Sequence, residues 1–163
     1  ATKKAGEALL YSFHSLYKIP TTCLRFFTVY GPRGRPDMAT FKFIDKIYKG
    51  LTIQQYGDGS SARDYTFVLD IVDGIMAALN KPQEFEIYNL GGSSPVKLSD
   101  YIQKIENIVG KDAIIENLEN QAGDVSLTYA DISKAKRELN YSPSYNIEKG
   151  LKATFEWYQA IME

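Results

Sequence analysis

Apolar side chains recur at intervals of three and four residues in six separate stretches of the chain, which is the spacing of amphipathic helices. The first stretch places Ala5, Leu9 and Leu16 on one face, and Pro20 just beyond it is typical of a helix end. This stripe begins at once, without a capping residue and a loop ahead of it. The other helices are predicted at about 38–49, 71–79 and 99–110, with Ser99 as the cap of the last, and then after Asp131 and after Asn146.

Runs of β-branched and aromatic residues lie between these helices and predict strands. The runs are TTCLRFF (21–27), TIQQY, RDYTFV, EIYNL and AIIENL. A segment rich in glycine and proline (29–37) and the sequence GDGSSA are predicted as a loop and a turn. Strands that alternate with helices are typical of an α/β fold, and we predict that class.

Composition places the chain among ordinary globular domains. It has 163 residues, 44% of them hydrophobic, and a formal net charge of −1, so no basic field is available for nucleic acid. A single histidine and a single cysteine argue against a disulfide, a metal site or a Ser-His-Asp triad, and Cys23 is predicted as a small buried side chain. No apolar run reaches the length of a membrane span, and we expect a cytoplasmic protein.

The glycine-rich segments do not form a dinucleotide-binding loop. That loop needs a glycine fingerprint between a strand and its helix, where backbone N–H groups meet the pyrophosphate. The glycines that follow a predicted strand in NLGGSSP lack this spacing and lead into Pro95. We therefore expect the cradle of a nucleotide cofactor to lie outside this sequence.

Two segments that carry arginine are candidates for binding an anion. Arg33 and Arg35 stand between prolines in YGPRGRPDM, and a stiff loop suits bidentate recognition of a carboxylate or phosphate. A structural ion pair with Asp37 is the alternative. Arg63 stands beside Asp64 at the start of a strand, where it either grips a diphosphate, oriented by that carboxylate, or forms an exposed ion pair.

The remaining charged candidates have structural explanations when they are taken singly. Asp124 follows Gly123 in a loop and is typical of a turn, whereas Asp131 is placed to cap the next helix. Lys3 and Lys4 are typical of a solvated helix face.

Taken together, these clusters change the interpretation, because the chain resembles the C-terminal part of an extended short-chain dehydrogenase/reductase. The resemblance rests on TKKAGE, LRFFTVYGPRGRPDM, GDGSSARDYTFVLDIVDGI, YNLGG and AGDVSLTYADISKAKRELNYSP. Within this group the chain is most similar to NAD-dependent nucleotide-sugar epimerases, particularly UDP-glucuronate 4-epimerases. Related 4-epimerases and dehydratases more often have Asn where this chain has Thr28, which makes that motif the most specific.

The resemblance implies a division of the chain. Residues 1–36 would be the end of a Rossmann-like core, and 37–163 mainly a substrate-binding subdomain, with a core strand returning near 85–90. The cofactor-binding half would precede Ala1. The intact protein is implied to be a homodimer built on the first helix, and we expect the chain by itself to expose apolar surface and to self-associate.

The resemblance also implies roles for individual residues. Lys3 falls at the lysine of the family's Tyr-x-x-x-Lys pair, whose tyrosine would lie two positions before Ala1. This lysine would contact the nicotinamide ribose of NAD and lower the pKa of that tyrosine. The other implied contacts are Phe26 near the nicotinamide, Thr28 and Arg35 at the sugar, Lys42 and Arg63 at the diphosphate, Gln54 (backbone) and Tyr56 (ring) at the uracil, and Asp124 at the uridine ribose.

The reaction implied is epimerisation at C4 of a UDP-sugar, interconverting UDP-glucuronate and UDP-galacturonate through a 4-keto intermediate. The tyrosine would take the C4 hydroxyl proton while hydride passes to NAD and later returns to the other face. Another nucleotide-sugar epimerase, a 4,6-dehydratase, or a nucleotide-sugar-binding fragment without activity are the alternatives. Because the tyrosine and the glycine fingerprint would lie before Ala1, the chain alone is expected to be inactive.

Two positions depart from the family's pattern. Arg33 stands where tryptophan is expected in GPWGRPD, so that loop is expected to pack or bind differently. Gln121 stands where some UDP-galactose-type 4-epimerases have an arginine for the diphosphate. The second departure favours the uronate branch and removes one phosphate contact.

Overall fold

Helices and strands alternate along the chain in the computed structural model, which describes residues 1–162. The helices are α1 (Thr2–Tyr17), α2 (Ala39–Lys49), α3 (Val68–Leu79), α4 (Leu98–Val109), α5 (Ser133–Leu139) and α6 (Ile147–Met162). The strands are β1 (Thr21–Phe26), β2 (Thr28–Tyr30), β3 (Ile53–Tyr56), β4 (Ala62–Phe67), β5 (Phe85–Leu90), β6 (Pro95–Lys97) and β7 (Ile115–Leu118). The predicted α/β class is confirmed.

The strands form three small sheets. β1 pairs in parallel with β5, from Thr21 opposite Phe85 to Phe26 opposite Leu90. The second sheet has the order β2-β4-β6, in which β2 is parallel and β6 antiparallel to β4, and the third pairs β3 with β7 in parallel. Parallel neighbours need crossover connections, which explains why the paired strands are separated by helices in the sequence.

Two hydrophobic cores hold these elements together. The first lies where α2, α4 and α6 cover β2, β3 and β4, and it includes Ile44, Ile53, Tyr101, Ile102 and Leu151. Tyr65 and Tyr101 stack in it with ring centroids 3.9 Å apart. The second core joins α3 and α5 to β5 and includes Ile71, Tyr88, Leu90 and Leu139.

Helix α1 contributes no buried residue to either core. Its apolar stripe faces solvent, and Leu16 is 73% exposed. The helix is attached to β1 by charge: Arg25 donates from Nε and Nη2 to the two carboxylate oxygens of Glu7, at 2.6 and 2.7 Å. Lys4 donates to the same carboxylate at 2.9 Å. The expected exposure of apolar surface is present, while self-association stays a prediction.

The Glu7 carboxylate is expected to titrate far below an ordinary glutamate. Hydrogen bonds from Arg25 and then Lys4 lower its pKa from 4.5 to about 2. A lowered pKa in the folded state means that this attachment stabilises α1 fully above about pH 4.5 and is lost as the pH falls toward 2. Carboxyl ¹³C NMR should give this low midpoint, and the Arg25→Ala variant should return it toward 4.5; a wild-type midpoint near 4.5 would contradict the attachment.

The structure corrects three expectations about local elements. β2 is a short strand that overlaps the segment 29–37 predicted as a loop, and β6 is a strand where none was predicted. Each is held by pairing with β4 rather than by its own sequence. Helix α3 begins at Val68, a residue predicted as the end of the strand RDYTFV. Ser99 is not the cap of α4: Lys97 holds that position, since β6 runs directly into the helix.

Two other local expectations are confirmed. Cys23 is buried, with 8% of its surface exposed. Gly110 ends α4 in the left-handed conformation. The expectation for Asp131 is not met as stated, because Ile132 holds the cap position of α5; the Asp131 side chain still accepts a hydrogen bond from the N–H of Ser133, the first helical residue, at 2.9 Å. Within residues 1–162, no helix combines the length and the apolar character needed to cross a bilayer.

Candidate functional site

A cleft between α2, β3 and β4 brings together five of the residues that the family resemblance implies would contact substrate. They are Thr28, Gln54, Tyr56, Arg63 and Asp124, which line a hollow of about 280 Å³. A second hollow of about 220 Å³ shares Gln54 and Tyr56 with the first and adds Lys42. We call the two hollows together the β3–β4 cleft.

Arg63 and Asp124 are paired with each other across this cleft. The Nη2 of Arg63 donates to Oδ1 of Asp124 at 2.6 Å, although 61 residues separate them in the sequence. The Arg63 side chain is 19% exposed and that of Asp124 is 53% exposed. The pair therefore places one cation and one anion side by side at the rim of a concave surface, where each can reach a ligand.

Asp64 does not orient Arg63, which corrects the expectation drawn from their adjacency. Consecutive residues of a strand point to opposite faces of the sheet. Arg63 therefore faces the cleft, whereas Asp64 is fully buried and accepts hydrogen bonds from backbone N–H groups. The carboxylate beside Arg63 in space belongs to Asp124.

The backbone of β3 presents polar groups toward the cleft. Ile53 donates its N–H to Ile114 and Gly57 donates to Leu118, both at 2.8 Å, so odd-numbered positions face β7. In a parallel pair, alternate residues direct their N–H and C=O groups to opposite edges. Gln54 and Tyr56 therefore direct theirs to the edge away from β7, while the Gln54 side chain is engaged with Glu116 at 3.3 Å.

Arg35 forms the ion pair that was the alternative explanation for its loop. Its guanidinium binds both carboxylate oxygens of Asp37, with Nε to Oδ1 at 3.0 Å, and this contact lowers the pKa of Asp37. Both side chains are largely exposed, and Arg35 is not among the residues that line the β3–β4 cleft. Arg33 is exposed and adopts a left-handed conformation with φ of 62°.

Lys3 and Phe26 lie in a different groove, between α1 and β1. This groove measures about 1050 Å³ and is also lined by Glu7, Cys23 and Arg25. Phe26 is 48% exposed, so its ring offers an apolar surface within reach of a ligand. Burial raises the pKa of the Cys23 thiol, which disfavours its reactive thiolate form.

Several residues of the cleft were not identified from the sequence. Among them are Met38, Thr40, Ser61, Tyr65 and Leu98. One signal was available for Tyr65, since it stands two positions after Arg63 on one strand and so shares its face. Leu98 had no such signal, because its contact depends on the pairing of β6 with β4.

The chain is similar to known proteins over its whole length. A profile of the NAD dependent epimerase/dehydratase family matches residues 1–91. The chain is 47% identical over 164 positions to a UDP-glucuronate 4-epimerase of Thermodesulfobacterium geofontis, and the match covers 100% of the chain and 50% of that protein.

Two solved structures are also similar to the chain. The UDP-glucuronic acid 4-epimerase of Bacillus cereus, in complex with UDP-glucuronic acid and NAD, matches with a TM-score of 0.93 and 38% identity over 98% of the chain and 52% of its own. The UDP-glucose 4-epimerase of Thermotoga maritima with UDP-glucose has a TM-score of 0.93 and 29% identity, over 98% of the chain and 52% of its own. The chain spans about half the length of the curated relatives it matches.

Proposed function

The chain belongs to the NAD dependent epimerase/dehydratase family, and we propose that it supplies the substrate cleft of an enzyme that interconverts UDP-glucuronate and UDP-galacturonate through a 4-keto intermediate. The observation that carries this proposal is the Arg63–Asp124 pair at the rim of the β3–β4 cleft. The similarity to UDP-glucuronate 4-epimerases from two bacteria supports the choice of sugar.

Each group of the cleft has a part of UDP that suits its chemistry. Arg63 binds the diphosphate through charged hydrogen bonds, and Lys42 adds a second cation from the adjoining hollow. Asp124 accepts hydrogen bonds from the ribose hydroxyls. The outward N–H and C=O of Gln54 match the donor and acceptor edge of uracil, and the half-exposed ring of Tyr56 provides a stacking surface.

The groove between α1 and β1 fits one end of a nicotinamide cofactor. NAD, when bound, supplies the acceptor and donor of hydride. Lys3 would donate hydrogen bonds to its ribose, and Phe26 would pack on the nicotinamide ring. No tyrosine is among the residues that line this groove in the described part of the chain, so we propose that the 163-residue chain binds substrate without turning it over.

Arg35 is proposed to recognise the uronate carboxylate after release from Asp37. Replacing it with alanine should weaken binding of UDP-glucuronate by about tenfold, because a charged hydrogen bond contributes about 1.5–3 kcal/mol. Binding of UDP-glucose should change little. Isothermal titration calorimetry with both ligands measures the difference.

The matched control is Arg33→Ala, which removes a charge from the same exposed loop. That variant should leave both affinities near the wild-type values. Equal losses on the two sugars in Arg35→Ala would remove the carboxylate assignment and favour an epimerase of neutral hexoses, as in the Thermotoga maritima neighbour.

A further inference from the structure

We propose that Asp64 is a positioning residue for the nucleotide site: its buried carboxylate fixes residues 124–130 along β4 and so sets Asp124 against Arg63. That this site binds a nucleotide rests on the proposed function, whereas the positioning of Asp124 by Asp64 rests on hydrogen bonds within the chain. We call residues 124–130 the Asp124 segment.

The Asp64 carboxylate gathers backbone N–H groups from two separate loops. Its Oδ1 accepts from Gly92 at 2.8 Å, and its Oδ2 accepts from Ser93 at 3.0 Å and from Ala130 at 2.8 Å. The side chain is fully buried. A buried charge is tolerated only where such donors surround it, so these three N–H groups stabilise the carboxylate and hold both loops against it.

The Asp124 segment is attached to β4 at several points on the way to Ala130. Ala62 donates its N–H to the carbonyl of Ser126 at 2.8 Å, and Thr128 donates back to the carbonyl of Ala62 at 3.1 Å. The hydroxyl of Thr128 accepts the N–H of Asp64 at 3.0 Å. Asp64 thus holds the segment through its backbone at Thr128 and through its side chain at Ala130, two and four residues beyond Ser126.

The loop that contains Gly92 and Ser93 passes close to the Asp64 carboxylate. A Cβ at Gly92 would lie 2.8 Å from the carbonyl oxygen of Tyr65 and 3.0 Å from Oδ1 of Asp64. Any other residue would force the loop away from β4. The glycine therefore allows Asp64 to bind two successive N–H groups.

A second buried carboxylate provides a matched control. Asp70 is 2% exposed and accepts backbone N–H groups from Ser144 at 2.8 Å and Tyr145 at 3.2 Å. It joins α3 to the segment before α6 and has no partner in the Asp124 segment. Asp64→Asn and Asp70→Asn thus make the same chemical change at equal depth, and only the first acts on Asp124.

The test compares UDP with 2′-deoxy-UDP by calorimetry on the 163-residue chain. Asp124 would distinguish the two ligands by accepting a hydrogen bond from the 2′-hydroxyl, and Asp124→Ala, which removes the acceptor, should abolish that preference. Asp64→Asn should lower UDP affinity about tenfold and bring the ratio of the two affinities toward one. Asp70→Asn should leave the ratio unchanged, even where it destabilises the chain. The same ratio in both variants and in wild type would overturn the proposal.

Amide hydrogen exchange on the ligand-free chain tests the positioning without UDP. The Thr128 and Ala130 amides should exchange faster in Asp64→Asn and at the wild-type rate in Asp70→Asn; unchanged rates in both would also overturn the proposal. Should Asp64→Asn fail to fold, Thr128→Val removes only one hydrogen bond, and Thr128→Ser should restore it. If the wild-type chain does not bind UDP, the proposed function fails while these exchange rates still decide the role of Asp64.

Discussion

Replacing Arg63 with glutamate is expected to weaken UDP binding by about 100-fold or more, because each lost charged hydrogen bond contributes about 1.5–3 kcal/mol and a tenfold change in affinity corresponds to about 1.4 kcal/mol. The new carboxylate would also repel the diphosphate and Asp124, which lies at the same rim. The side chain is only 19% exposed, so solvent screens this repulsion weakly. Calorimetric titration with UDP measures the change.

Arg137→Glu is the matched control for this substitution. It makes the same change in net charge on α5, where Arg137 is exposed and pairs with Glu138. Its affinity for UDP should stay within about twofold of wild type, because screened surface charges contribute little at that distance. A similar loss in both variants would mean that UDP responds to the net charge of the chain and not to the β3–β4 cleft.

Replacing Gly150 with alanine is expected to destabilise the first hydrophobic core. A Cβ at this position of α6 would lie 2.7 Å from Cζ of Tyr30 and 2.9 Å from Cδ2 of Phe67, and closer still to the Tyr30 hydroxyl. Both rings are buried, at 4% and 3% exposed, so they have no room to move. Overpacking typically costs about 1–3 kcal/mol. Because three atoms of these rigid side chains would lie this close, we expect Gly150→Ala to lower the free energy of unfolding by an amount near the upper end of that range.

The helix itself gains from the same change, which makes Gly6 a useful comparison. Alanine is favoured over glycine in a helix interior by about 1 kcal/mol. A Cβ at Gly6 of α1 would meet no atom within 4 Å, so Gly6→Ala should raise helix stability. Denaturant unfolding should show opposite signs for the two variants. A stabilising effect of Gly150→Ala would contradict the packing of α6 against β2.

The elements in which apolar residues recur at regular spacing were predictable from the sequence. α2 and α4 carry regular apolar stripes, and each is followed by a glycine in the left-handed conformation, Gly50 or Gly110. β1 and β4 are runs of β-branched and aromatic residues. β2 and β6 were not predictable, because three residues carry no measurable period and their extension depends on pairing with β4.

The site was predictable in its members and not in its contacts. Arg63 and Asp124 were both candidates, yet their pairing spans 61 residues, which no local pattern encodes. Asp64 was interpreted as a partner of Arg63, since adjacency in sequence does not reveal which face of a strand a residue takes. For Arg35 the local sequence was sufficient, because its ion-pair partner Asp37 lies only two positions away.

The most direct test of the account is calorimetric titration of the 163-residue chain with UDP, with NAD as the comparison. We predict saturable binding of one UDP per chain, weakened about 100-fold or more in Arg63→Glu. NAD should bind more weakly than UDP, because the β3–β4 cleft holds the groups suited to UDP while Lys3 and Phe26 would contact only one end of the cofactor. A folded chain that binds no UDP, or that binds NAD more tightly than UDP, would contradict the account.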